Sequence, residues 1–137
     1  MPASKIKILI VDDSVLVQSK LTSIVENISS IHSVGTTGNA HEALRMVVEH
    51  SPDIVLLDIQ LLGGSGIDVL KSIKQSHPST IVIMITNFGS SQYRKRCKKE
   101  GAEYFLDKTI DMHLLEGILK EISNGQAFNS EFAYVRT

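Results

Sequence analysis

The chain has 137 residues, the length of one domain and enough to bury a core without disulfides or a structural metal. Hydrophobic residues make up 42% and charged residues 21%, which excludes wholesale disorder. The 14 Lys+Arg against 15 Asp+Glu give a net charge of -1, which excludes a nucleic-acid binder that works by bulk positive charge.

Apolar runs reach about five residues, against the roughly 20 that a spanning helix needs. The start, Met1-Pro-Ala-Ser-Lys5, has no signal-peptide pattern. The single cysteine, Cys97, has no intramolecular partner, which suits a reducing compartment. A cytoplasmic protein with no membrane association and no direct nucleic-acid binding is expected.

Short apolar runs alternate with stretches of helical period. Ile6–Val11 reads as a buried strand closed by two aspartates. Val17, Leu21, Ile24 and Ile28 then share one helix face. Ile31–Thr37 is a weaker strand, and Asn39 caps a helix with Ala40, Ala43, Leu44, Val47 and Val48 on one side. After Pro52, Asp53–Leu57 is a second buried strand ending at Asp58. The Gly63-Gly64-Ser65-Gly66 loop leads to a helix with Ile67, Leu70 and Ile73 inward, stopped by Pro78.

Thr80–Ile85 is the most apolar strand, and Thr86 ends it. Gly89-Ser90-Ser91 opens a charged helix to about Glu100, closed by Gly101. Ala102–Leu106 is the fifth strand; Leu114, Leu115, Ile118, Leu119 and Ile122 mark the last helix. The pattern is (βα)5, a parallel sheet with helices on both faces. Residues 1–124 form one domain, and 125–137 are a tail, a linker stub or an expression remnant.

Ligands of open parallel sheets bind outside the carboxyl ends of the strands. Here those ends carry Asp12-Asp13, Asp58, Thr86 and, shortly after the fifth strand, Lys108. Right-handed crossovers bring the first and third strands together, so three carboxylates, a hydroxyl and an ammonium converge. Two unit charges about 4 Å apart repel by roughly 4 kcal/mol at an effective dielectric near 20. Lys108 offsets one charge, and Mg2+, a hard cation suited to carboxylates, water and phosphoryl oxygens, offsets the rest. Asp12, Asp13 and Asp58 therefore read as a Mg2+ (or Mn2+) site with a phosphoryl acceptor, with Thr86 and Lys108 placed to hold the transferred group. Taken singly, the same residues have plainer readings: the Asp pair or Ser14 as a helix cap, Thr86 as a strand residue, Lys108 as a solvated lysine.

The set Ile8–Ser14, Pro52–Ile59, Ser65-Gly66, Ile83–Thr86 and Gly101–Lys108 resembles the receiver domain of bacterial two-component response regulators, similar to the single-domain chemotaxis regulators, over residues 5–123. The resemblance implies a flavodoxin-like doubly wound parallel sheet in the strand order 2-1-3-4-5. It implies Asp58 as phosphoacceptor for a phosphohistidine on a sensor histidine kinase or histidine phosphotransfer protein. Asp13 would bind Mg2+ directly, Asp12 largely through water, and the backbone carbonyl of Gln60 would add an oxygen. Lys108 and Thr86 would contact the acyl phosphate, joined by backbone groups of Ile59 and Asn87. Thr86 and Phe105 would switch together, changing the binding of a downstream partner or a homodimer through the fourth-helix, fifth-strand and fifth-helix face. The chain would catalyse its own phosphorylation and slow autodephosphorylation, with no turnover of an external substrate.

Three positions depart from the family's pattern. Thr109 replaces the usual proline, so the Lys108–Thr109 bond is expected to be trans with Lys108 still reaching Asp58. Asn87 replaces a small residue, and Leu62 replaces a proline, which is expected to leave Gly63-Gly64 freer to move. Gln60 and Phe88 stand where the family tunes dephosphorylation.

Five cations in Arg94–Lys99 read as a solvated helix surface, with an acidic partner as the alternative, and Cys97 as a packed residue. The histidines at 32, 41, 50, 77 and 113 show no metal-ligand spacing. The competing readings are a pseudo-receiver, a binding module that works without phosphorylation, and an aspartyl-nucleophile phosphatase. The phosphatase is disfavoured because Asp12 and Asp13 are adjacent and residue 60 is Gln.

Overall fold

A computed structural model of the chain describes residues 5–88 and 91–125. Five strands, β1 (Ile6–Val11), β2 (Ile31–Thr37), β3 (Ile54–Leu57), β4 (Ile81–Thr86) and β5 (Tyr104–Asp107), pair in parallel in the order β2-β1-β3-β4-β5. The helices are α1 (Val15–Glu26), α2 (Ala40–His50), α3 (Gly66–Ser76), α4 (Ser91–Lys99) and α5 (Leu115–Ser123). This is the flavodoxin-like arrangement expected from the sequence.

Alternation along the strands sorts side chains into two cores. Ile8, Ile10, Ile54, Leu56, Ile83 and Ile85 face α1 and α5, where they meet Leu21, Val25, Leu115 and Leu119. Leu9, Val11, Val55, Leu57, Val82 and Met84 face the other way, toward Ala43, Val47, Leu70, Ile73 and Cys97 of α2, α3 and α4. With both faces covered, a strand needs apolar residues at every position, which is why the runs are continuous.

Side-chain caps fix where three helices start. Ser14 accepts the N–H of Val17 at 3.3 Å, Asn39 that of Glu42 at 3.0 Å, and Ser65 that of Ile67 at 3.1 Å. The end of α4 requires glycine: Gly101 sits at φ +101°, so that Ala102 N–H reaches Cys97 O at 3.0 Å and Gly101 N–H reaches Lys98 O at 3.1 Å.

Several boundaries differ from expectation. β3 is Ile54–Leu57; the Asp53 before it bonds both neighbouring strands through its backbone, and its carboxylate accepts Lys7 N–H at 2.8 Å. β4 includes Thr86, and β5 begins at Tyr104 because Glu103 folds its carboxylate back onto Val82 N–H at 2.8 Å. On α2, Val48 is 71% exposed and Met46 is buried instead. On α1 the inward set gains Val25, and Ile28 lies just past the helix end. The last helix is preceded by a 3-10 turn, Met112–Leu114.

The loop after Asp58 contains a two-stranded antiparallel ribbon, Gln60–Leu61 with Gly64–Ser65. The Gly89-Ser90 helix start and the tail from residue 126 lie outside the described residues. Among the described residues, no helix is long and apolar enough to cross a membrane.

Candidate functional site

β1 and β3 are neighbours, with Val11 paired to Leu57, so the residues that follow them emerge side by side. Asp12 is 1% exposed; its N–H donates to Thr37 O at 2.9 Å and its Oδ1 accepts Ser14 N–H at 2.9 Å. Ser14 thereby takes the capping of α1, and Asp12 is left to face the site. Asp13, the next residue, is exposed. Asp58 is 5% exposed, donates its N–H to Val11 O at 3.0 Å and accepts Ile59 N–H on Oδ1 at 2.7 Å.

Lys108 closes the hollow. Its backbone N–H donates to Thr86 O at 2.9 Å, and its Nζ lies 2.7 Å from Asp12 Oδ2 and 2.9 Å from Asp58 Oδ2. The described residues contain no cis peptide bond, so Lys108–Thr109 is trans, as expected, and the ammonium still reaches Asp58. Carboxylate oxygens of Asp12, Asp13 and Asp58 fall within 4.8 Å of one another.

Burial drives the electrostatics. It pushes the Asp12 carboxyl above its ordinary pKa, with the Asp58 charge adding, while the hydrogen bonds from Lys108 and the Ser14 amide only partly offset it. For Lys108 burial acts to lower the pKa, but the hydrogen bonds to Asp12 and Asp58 outweigh it, and the ammonium is held above its ordinary value. One ammonium leaves two of the three carboxylate charges unmatched. The donor set is three hard oxygens with no His or Cys among them, which fits Mg2+ or Mn2+.

Around this centre, Thr86 is fully buried and its Oγ1 accepts Phe88 N–H at 3.1 Å; Asn87 is exposed. Gln60 and Phe88 share an open cleft of about 220 Å³ with Ile59, Gly64, Ser65 and Tyr93, where Phe88 and Tyr93 stack edge to face at 6.2 Å. At Leu62 the N–H, which a proline would lack, donates to Gly38 O at 2.9 Å, and the carbonyl accepts Ala40 N–H at 2.8 Å.

Two features escaped the sequence reading. Gly66 has a role beyond its place in the matching stretch: a Cβ there would stand 1.8 Å from the Asp58 carbonyl oxygen. Only glycine lets α3 begin directly against the residue that carries the site. The cations of α4 are not all solvated either. Lys95, Arg96, Lys98 and Lys99 are exposed, but Arg94 is 6% and Cys97 is 0% exposed.

The signal for this was present, since residues three apart share a helix face and Cys97 marks the buried one. The Arg94 guanidinium lies 4.8 Å from the centroid of the Phe105 ring, and its Nη2 is 3.6 Å from Oδ2 of the fully buried Asp111. Phe105 itself is 1% exposed. Burial pushes the Cys97 thiol up to about 12, so it is a packed residue with no thiolate chemistry at neutral pH. No histidine joins a metal-type cluster among the described residues.

The family model of the response regulator receiver domain matches residues 8–120. The chain belongs to the response regulator receiver domains. The receiver is similar to the response regulator GacA of Pseudomonas syringae pv. syringae, 27% identical over 125 residues, covering 91% of this chain and 58% of that protein. It is 32% identical over 120 residues to the transcriptional regulatory protein LnrK of Bacillus subtilis, covering 88% of this chain and 54% of that protein. The receiver thus spans little more than half of these relatives.

Among solved structures, it matches a chain of the CheX-CheY-BeF3-Mg2+ complex from Borrelia burgdorferi with a TM-score of 0.77, 31% identity, and 89% and 90% of the two chains covered. The fold also matches the isolated REC domain of RcsB from Salmonella enterica serovar Typhimurium in the presence of phosphomimetic BeF3-, with a TM-score of 0.84, 20% identity, and 96% and 99% covered.

Proposed function

We propose that the receiver takes a phosphoryl group onto Asp58 from a phosphohistidine of a sensor histidine kinase or histidine phosphotransfer protein. The observation that carries this reading is one ammonium, Lys108, set at 2.7 and 2.9 Å between Asp12 and Asp58, with Asp13 within 4.8 Å of both. An Asp58 carboxylate oxygen attacks phosphorus, the P–N bond of the phosphohistidine breaks, and the imidazole leaves with its electron pair.

Positioning and charge neutralisation supply most of the catalysis such a transfer needs. Bound Mg2+ would neutralise phosphoryl oxygens, held by Asp12, Asp13, Asp58 and the Gln60 carbonyl. Lys108 pairs with the charge that arrives on Asp58. The Thr86 hydroxyl, now occupied by the Phe88 amide, turns to the phosphoryl group together with the backbone amides of Ile59 and Asn87.

Phe105 follows Thr86, and the α4-β5-α5 face changes its affinity for a downstream partner or a second copy. Slow hydrolysis resets the site, at a rate set by the cleft that Gln60 and Phe88 line. We place the reaction in the cytoplasm, which suits a lone buried thiol.

The test is incubation with acetyl phosphate, followed by intact mass measurement. One phosphoryl group per chain is expected with Mg2+ and none in chelator or in Asp58→Asn. A chain that stays unmodified while folded and Mg2+-loaded would instead be a phosphorylation-independent binding module.

A further inference from the structure

The turn that carries Lys108 has no proline to fix it, and a second charged cluster stands in its place. Asp107 N–H donates to Asp111 Oδ2 at 2.9 Å, Asp111 N–H returns to Asp107 O at 2.8 Å, and Thr109 N–H donates to Asp107 Oδ1 at 2.7 Å. Lys108 lies inside this closed loop, its own N–H fixed on Thr86 O. The Asp111 carboxylate is therefore one of the bonds that decide where the Lys108 side chain starts.

That carboxylate is fully buried, and burying a charged group is costly unless it is paired. Arg94 supplies a partner from α4. It is itself 6% exposed, its Nη2 lies 3.6 Å from Asp111 Oδ2, and its guanidinium covers the Phe105 ring. A surface ion pair would leave the turn unaffected; this one joins α4, β5 and the Lys108 turn in a single buried group.

We propose that Asp111, anchored by Arg94, is a positioning residue for Lys108: the pair holds the trans Lys108–Thr109 turn so that the ammonium falls between Asp12 and Asp58. The rate of phosphoryl acceptance then depends on an α4 residue that never touches the phosphoryl group. This rests on Asp58 being the acceptor, so the test includes a readout that does not.

A contrasting pair exists at the amino end of the sheet. Lys74 Nζ lies 2.7 Å from Glu103 Oε2, and Glu103 Oε1 accepts Val82 N–H at 2.8 Å; among the described residues neither side chain shares a hydrogen bond or ion pair with Lys108. The experiment compares Asp111→Asn and Arg94→Lys with Glu103→Gln in the whole chain. Folded fraction is followed by circular dichroism, Mg2+ affinity by calorimetry, the acetyl phosphate reaction by intact mass, and the Lys108 ammonium in Mg2+-free protein by NMR.

The expected result is phosphorylation about tenfold slower in both site variants, with Mg2+ affinity within about threefold of wild type, full folding, and a displaced Lys108 ammonium signal. Glu103→Gln is expected to melt earlier yet to keep both the rate and the signal. Wild-type rates with an unmoved signal in Asp111→Asn and Arg94→Lys would overturn the proposal. So would losses of rate and Mg2+ binding that simply track the folded fraction. Should wild type bind Mg2+ but take no phosphoryl group, the functional reading fails, and the NMR signal alone decides the positioning.

Discussion

Asp12 is held with its pKa above the ordinary carboxyl value, burial being the first cause. A raised carboxyl contributes stability below the unfolded-state pKa and loses it as pH rises through the folded value. Above that value the ionised Asp12 weakens the Mg2+-free fold. Asp12→Asn is expected to raise the melting temperature of the Mg2+-free chain by roughly 2–5 °C; an unchanged or lower value would show that the Lys108 contact outweighs the burial cost.

Lys108 has the opposite consequence at physiological pH. Its raised pKa, set by Asp12 and Asp58 against burial, contributes stability that is fully present below about pH 10.4, the ordinary lysine value, and is lost as pH rises through the folded value. Melting of Mg2+-free wild type is expected to fall on that alkaline side, with a shallower fall in Lys108→Met. Both residues were visible in the sequence as polar groups ending apolar strands. Which oxygen each would face was not, because that depends on the neighbouring amides of Ser14 and Ile59.

Elements deliver these side chains through their ends. The start of α3 is limiting: Gly66 N–H donates to Ile59 O at 2.5 Å, and an added Cβ would meet the Asp58 carbonyl at 1.8 Å. Gly66→Ala is expected to cost about 1–3 kcal/mol in urea unfolding, the usual penalty of overpacking, and to slow phosphorylation by shifting Asp58. Wild-type stability would mean that the turn has room the geometry denies.

At this scale the sequence was informative wherever a local rule decides: the continuous β-branched runs, the caps Asn39 and Ser65, the glycine after α4. It misled where a tertiary partner decides. Arg94 looks like one more solvated cation until Phe105 and Asp111 come beneath it.

Across the whole molecule, a five-stranded parallel sheet brings together, beyond the carboxyl ends of its strands, carboxylates that are far apart in the chain, and a bound cation would relieve their mutual repulsion. A ligand that binds only the folded state stabilises it by about 2.7 kcal/mol at a hundred times its Kd, so saturating Mg2+ is expected to raise the melting temperature by several degrees. Asp13 is exposed, so Asp13→Asn should leave Mg2+-free melting nearly unchanged and remove most of that rise; a full Mg2+ response in the variant would take Asp13 out of the site.

The central claim is that the acidic hollow exists to charge Asp58. Its most direct test is to treat the phosphorylated chain with borohydride, which reduces an aspartyl phosphate to homoserine, and to locate the product by peptide mass spectrometry. The account predicts homoserine at position 58 alone, dependent on Mg2+ and acetyl phosphate together. Reduction at Asp12 or Asp13, or at no aspartate in a chain that had gained a phosphoryl group, would contradict it.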